Sequence, residues 1–324
     1  MPTKPIFIFS LPRAGSTLLQ RLLSQHSEIS SAPEPWIALP LFYTLKQEGV
    51  RAIYGHEALS NAVNGFIDSF PNKREDYLSS AATFLNSMYS LGSESDSIYF
   101  LDKTPRYHLI VDELIEAFPD AKFVFLWRNP VAIAASILET WGKGKWNLYM
   151  FRVDLYSGME SLVTAFNKYS DRSIAIKYEN LVASPESEIS RLLLYLGLDN
   201  ENRIVNEFGS SKKIGAPGRG DPTGQYKYDS ISKASIDSWK KVMANQFRRR
   251  WAKSYLKWIG GDHLKTMGYD IKVLNSEMDK QPLKYEYLLA DIIRNIFGSI
   301  YCKYSVEDVR SNKPWRKNIF FTKN

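Results

Sequence analysis

The chain has 324 residues, 44% of them hydrophobic and 24% charged; that length supports one large α/β domain with an appendage, and the composition excludes disordered and fibrous classes. A net charge of +7 and a pI near 9.1 admit an anionic ligand, a nucleic acid or an anionic surface without choosing among them. The single cysteine, Cys302, excludes an intramolecular disulfide and a cysteine cluster, and the four histidines lack ligand spacing, so no metal site is expected. Strand-like sequence begins just after Met1 and no apolar run reaches about eighteen residues. The expectation is a cytoplasmic location with no export signal and no transmembrane segment.

In chain order, Ile6 to Phe9 reads as a short buried strand, and Leu18, Leu19, Leu22 and Leu23 recur on one helical face. Ser10 to Ser16 is then a strand-to-helix loop. Unpaired N–H groups at the new helix's first turn and the positive end of its dipole favour a phosphate or sulfate there. Gly15 lets the backbone approach such a ligand, Ala14 precedes it, and Ser16 and Thr17 add hydroxyl donors. The nucleotide-binding pattern GxxxxGK[ST] fails here, with Ser10 in place of its first glycine and Ser16 in place of its lysine. The cation is Arg13 instead.

Further strands are read at SIYFL before Asp102, at Lys122 to Trp127, and in SIAIKY ending at Tyr178; helices follow at Leu109 to Phe118, at Val131 to Thr140, and from Ser184-Pro185, with Ser184 as cap. This alternation predicts a mostly parallel sheet covered on both faces. Arg13, Lys103, Arg128 and Tyr178 all fall at or just past strand carboxyl ends, where open α/β sheets bind ligands. In the interval from Trp36 to Asp96, Tyr43, Tyr54, His56, Phe66, Phe70, Tyr77, Phe84 and Tyr89 suit either an aromatic pocket or helical core packing. His26, His56 and His263 read as helix-end or surface residues. Gly- and Pro-rich GAPGRGDPTGQYKY is a candidate cofactor-covering loop, with Arg219, Thr223 and Lys227 as its polar contacts. Trp239 to Trp258 reads as one long surface helix, its basic run RRRW at 248–251 a solvated face, so nucleic acid is not expected as a partner. A composition shift near Val273 suggests a domain over 1–273 and a helical extension over 274–324. In that extension Leu283 to Tyr301 is amphipathic, suited first to docking on the core, and also to pairing in a homo-oligomer or to lying on a membrane.

Three segments carry a family resemblance. PRAGST resembles the phosphosulfate loop of sulfotransferases that use 3′-phosphoadenosine 5′-phosphosulfate (PAPS), in the PRxGTT form of tyrosylprotein and many bacterial enzymes. FVFLWRNPVAIAASIL places Ser136 eight residues after Arg128, as in the pair with which the family grips the 3′-phosphate. IKYENLVASPESEISRLLLYLGL is similar to the family's Y-E-x-L-x-x-x-P stretch, in which the aromatic, here Tyr178, packs near the adenine. The resemblance implies a P-loop-like three-layer domain and transfer of a sulfuryl group from PAPS to a hydroxyl or amine of a small molecule, a secondary metabolite among the options, with 3′,5′-bisphosphoadenosine (PAP) as product and no metal. It further implies that Arg13, and Lys103 in DKTPRY, stabilise the transition state. It also implies that Glu34, twenty-one residues after Arg13, is the general base, a role that partial burial beside Trp36 would suit. His108 is the alternative base, although the KTHLP order of cytosolic sulfotransferases is absent. Ala14 and Ser16 depart from the tyrosylprotein pattern. A small-molecule P-loop kinase and a catalytically silent PAP-binding protein remain open as other readings.

Overall fold

The computed structural model describes residues 3–47, 55–201, 203–206, 208 and 230–304. Five strands, β1 (Lys4–Phe9), β2 (Ile29–Ser31), β3 (Tyr99–Asp102), β4 (Lys122–Trp127) and β5 (Ser173–Lys177), form one parallel sheet in the order β2-β3-β1-β4-β5. The central strands are nearly continuous apolar runs because helices cover both faces. Phe7, Phe9 and Phe123 stack at 6.0–6.2 Å, while Phe7 also meets Phe118, Tyr89 and Tyr107. Parallel pairing aligns the strand carboxyl ends. Arg13, Lys103, Arg128 and Tyr178 therefore emerge on one edge of the sheet.

Helix Ser16–Leu23 starts directly after Gly15. Pro130 opens helix Pro130–Thr140, whose first turn is capped by Asn129 Oδ1 accepting from Val131 N at 2.9 Å. Ser184 stands at the start of helix Pro185–Leu196 but its side chain makes no capping bond, so Pro185 and the first-turn carboxylates Glu186 and Glu188 favour that start. The expected helix Leu109 to Phe118 is a 3₁₀ turn, Pro105–Leu109, followed by the α-helix Val111–Ala117.

The expected single helix from Trp239 to Trp258 is two, Ala234–Val242 and Gln246–Ile259, because Asn245 caps the second by accepting from Arg248 N at 2.8 Å. The basic run is not wholly solvated either. Arg248 is buried and pairs through Nε and Nη2 with Asp291 at 2.6 and 3.2 Å, and Asn245 Nδ2 donates to the same carboxylate at 2.8 Å. That contact docks helix Leu288–Tyr304, which begins five residues later than its sequence suggests. Leu289, Ile293, Ile296, Phe297 and Ile300 remain exposed on the same helix. Helix Ile271–Asp279 runs across the 273/274 boundary. No helix among the described residues is long and apolar enough to cross a membrane.

Candidate active site

The loop after β1 turns through two left-handed residues, Arg13 at φ 68° and Gly15 at φ 99°. The glycine is needed for that conformation and for a close approach: a Cβ there would stand 2.3 Å from Tyr178 Cδ2. Tyr178, the first residue after β5, lays its ring against the loop and donates or accepts through its hydroxyl with Ser235 Oγ at 2.8 Å. The Arg128 guanidinium covers the other part of that ring, 4.4 Å from its centre. Arg128 also donates to the Arg13 carbonyl at 2.8 Å and the Ser235 carbonyl at 3.1 Å, and its Nε is buried without a partner. Burial pulls this guanidinium below its ordinary pKa, Tyr178 and Glu179 push it up, and the Arg13 charge pulls it down again. Arg13 Nε donates to Ser136 Oγ at 3.3 Å, and its guanidinium lies 5.6 Å from the Trp141 ring centre. Residues 13, 128, 136 and 178 thus meet around one glycine.

They border a cavity of about 560 Å³, whose lining includes Gly15, Ser16, Thr17, Arg128, Ser136, Tyr178 and Ser235 together with Glu34, Trp36, Arg106, Trp141, Phe151 and Asp154. Ala14 is buried behind the loop. Glu34 is held by Lys103, Nζ donating to Oε1 at 2.7 Å. Lys103 is 1% exposed and does not border the cavity, so its charge reaches the site from behind Glu34.

His108 does not border the cavity and stands behind Asp154, which does. Its Nε2 lies 2.9 Å from Asp154 Oδ1, its Nδ1 is buried against Gly158, and Asp154 also accepts from Arg106 Nε at 2.8 Å. His56 opens its helix as expected and His26 lies in the turn three residues after Leu23, but both are buried, facing the carbonyls of Lys46 and Asp199.

Among the described residues of the aromatic interval, only its first, Trp36, borders the cavity. Tyr89 is buried toward Asp102, Phe66 packs on Phe70 while remaining 67% exposed, and none of Tyr43, His56, Tyr77 and Phe84 borders the cavity. Tyr54, Arg219, Thr223 and Lys227 lie outside the described residues. The aromatic wall is Trp36, Trp141 and Phe151, the last two stacked at 4.8 Å and 10°. Sequence reasoning missed Arg106, Trp141, Phe151 and Asp154. Arg106 carried a signal in standing three residues after Lys103, whereas Asp154 sits in a π-helical turn, Val153–Gly158, that no periodicity announces.

Asp102, wholly buried at the end of β3, accepts from Tyr89, Tyr107 and Thr104 hydroxyls at 2.7, 2.9 and 3.1 Å. Burial pushes its carboxyl from 3.8 up to about 6 against the pull of those hydroxyls and of Lys103. The folded state therefore holds this proton more tightly than the unfolded chain. Stability from this group is full below about pH 4 and is lost as pH rises through about 6, by about 3 kcal/mol in all. Asp102→Asn cannot titrate, so urea unfolding should show the variant gaining on the parent by that amount between pH 4 and 7. A difference that stays constant with pH would remove this assignment.

A profile of the Sulfotransferase family matches residues 5–202. Nodulation protein NoeE of Sinorhizobium fredii is 26% identical over 287 residues, covering 82% of this chain and 65% of that protein. Protein-tyrosine sulfotransferase 1 of Danio rerio is 26% identical over 211 residues, covering 62% of this chain and 55% of that one. The chain thus spans about two thirds or less of the length of these curated relatives. Among solved structures, the sulfotransferase domain from the curacin biosynthetic pathway superposes with a TM-score of 0.50 at 20% identity, over 83% of this chain and 99% of that one, which speaks to fold.

Proposed function

Because the chain belongs to the sulfotransferase family, we propose that it moves a sulfuryl group from PAPS to a hydroxyl or amine of a small-molecule acceptor, with Glu34 as general base. The observation that carries this reading is the meeting of Arg13, Arg128, Ser136 and Tyr178 around Gly15 in the same cavity that Glu34 borders. The residues fit an anionic nucleotide. Two guanidinium groups repel one another across the loop, one of them with a buried donor unused, and a phosphate beside them would relieve both conditions. On this reading Arg128 and Ser136 hold the 3′-phosphate, the first turn from Ser16 and Thr17 holds the 5′ end, and Tyr178 offers its ring to the base.

PAPS, when bound, supplies the sulfuryl group and departs as PAP. Glu34 receives the proton of the attacking hydroxyl, and Lys103 holds that carboxylate in place. Arg13 sets a fixed positive charge where oxygens of the transferred group and the bridge gain negative charge. Trp36, Trp141 and Phe151 give the acceptor an apolar wall, and Arg106 and Asp154 give it polar contacts.

Nucleotide selectivity tests the assignment. PAP at about a hundredfold excess over its Kd should stabilise the fold by about 2.7 kcal/mol in thermal unfolding, whereas AMP, lacking the 3′-phosphate, should do far less. Arg128→Ala should weaken PAP binding by about 10- to 100-fold without unfolding the protein. Equal stabilisation by AMP would sink the 3′-phosphate site, and a larger effect of ATP with Mg²⁺ would favour a kinase. PAP binding with no turnover of sulfur-labelled PAPS over a broad panel of alcohols, phenols and amines would indicate a silent binding protein.

A further inference from the structure

The loop that carries Glu34 is strained. Glu34 and Trp36 sit at φ 34° and 58°, a region that side-chain-bearing residues rarely adopt and that persists only where surrounding structure imposes it. Two hydroxyls hold the backbone at its exit. The Trp36 amide donates to Thr104 Oγ1 at 3.3 Å, and the Ala38 amide donates to the Tyr107 hydroxyl at 3.2 Å. One hydroxyl accepts from the loop and the other from Ala38 at the start of the helix that follows it, and each spends its one proton on Asp102, at 3.1 and 2.9 Å, while Tyr89 donates a third bond at 2.7 Å. Asp102 is wholly buried, does not border the cavity, and directly precedes Lys103, whose ammonium holds the Glu34 carboxylate.

From this geometry we infer that Asp102 is a positioning residue, which through the Thr104 and Tyr107 hydroxyls fixes the backbone of the Glu34–Trp36 loop so that the carboxylate of Glu34 meets the acceptor. The assignment rests on the reading of Glu34 as base. A carboxylate here accepts all three hydroxyl protons, which orients both relay hydroxyls with their lone pairs toward the loop amides. An apolar residue in the same place would leave those hydroxyls free to turn and would spare the chain the desolvation of a charge. Asp102 and Lys103, adjacent on one strand end, act on Glu34 from two sides. The first fixes the backbone that carries the base, and the second fixes its side chain.

The test needs no known acceptor. Thr104→Val removes one relay and Thr104→Ser keeps it; both are compared with the parent by hydrogen exchange of the Trp36 and Ala38 amides, by PAP titration, and by hydrolysis of sulfur-labelled PAPS to sulfate and PAP with water as acceptor. In Thr104→Val the Trp36 amide should exchange at least about tenfold faster and hydrolysis should fall by about 10- to 100-fold, with the Kd for PAP within about twofold of the parent. Thr104→Ser should restore both. Asp102→Asn should speed exchange at both amides together. Unchanged exchange overturns the inference, as does full hydrolysis in Thr104→Val, and so does PAP affinity that falls in step with activity, since that marks general loosening. Full hydrolysis in Glu34→Gln would remove the base reading by itself, a result that exchange at Trp36 does not mimic.

Discussion

Glu34→Gln should lower sulfation turnover by roughly 10²- to 10⁴-fold while leaving PAP affinity within about twofold. The glutamine keeps the size of the side chain and an oxygen for the Lys103 bond, now 2.7 Å long, but cannot take up a proton. Glu34 borders the cavity at 14% side-chain exposure, close enough to solvent for an acceptor to reach it and shielded enough to hold one geometry. His108→Asn is the control. That ring is buried against Asp154 and Gly158 and does not border the cavity, so its loss should act on stability more than on turnover. Steady-state rates for both variants, with PAP titration alongside, separate the two. Near-normal turnover in Glu34→Gln with collapse in His108→Asn would move the base to His108. An amine acceptor would blunt the contrast, because a neutral amine can attack before losing its proton.

The elements legible in the sequence were those whose signal is local. β1 and β4 are apolar runs that end at a loop bearing an arginine, and Pro130 marks a helix start by its fixed φ. β2 is three residues, two of them serine, and pairs only because β3 lies beside it. The break at Asn245 was hidden because charged and aromatic residues continue through it, and the burial of Arg248 depends on Asp291, forty-three residues away. At the site, Arg13, Arg128, Ser136 and Tyr178 stood out by motif spacing. Gly15 was singled out for room beside a ligand, yet the neighbour that excludes a side chain is the Tyr178 ring. Trp141, Phe151 and Asp154 carry no motif; the fold alone brings them to the cavity. Asp102 read as the flank of a strand, and its three hydroxyl partners come from two segments that no pattern connects.

Gly15→Ala should cost about 2–5 kcal/mol of stability and weaken PAP binding by at least about tenfold, through two separable effects. The first is backbone strain: φ 99° lies outside what an alanine adopts comfortably, and no rearrangement of neighbours removes that. The second is a collision. The new methyl would stand 2.3 and 2.5 Å from Tyr178 Cδ2 and Cε2, and these are ring atoms of a side chain pinned by the Arg128 guanidinium on its face and by Ser235 at its hydroxyl. If the ring moves, Arg128 loses its platform, and with it, on the proposed reading, the guanidinium's aim toward the 3′-phosphate. Tyr178→Ala in the Gly15→Ala background removes the collision and leaves the strain. Urea unfolding should then show the double variant more stable than the sum of the two single changes by about 1–3 kcal/mol, the share that belongs to the collision. PAP affinity should not recover, because the ring itself is part of the nucleotide site on this reading. Strict additivity in stability would mean that Tyr178 yields to the methyl at no cost, and PAP binding at parental strength in the double variant would show that neither the ring nor the close approach of Gly15 contributes to holding the nucleotide.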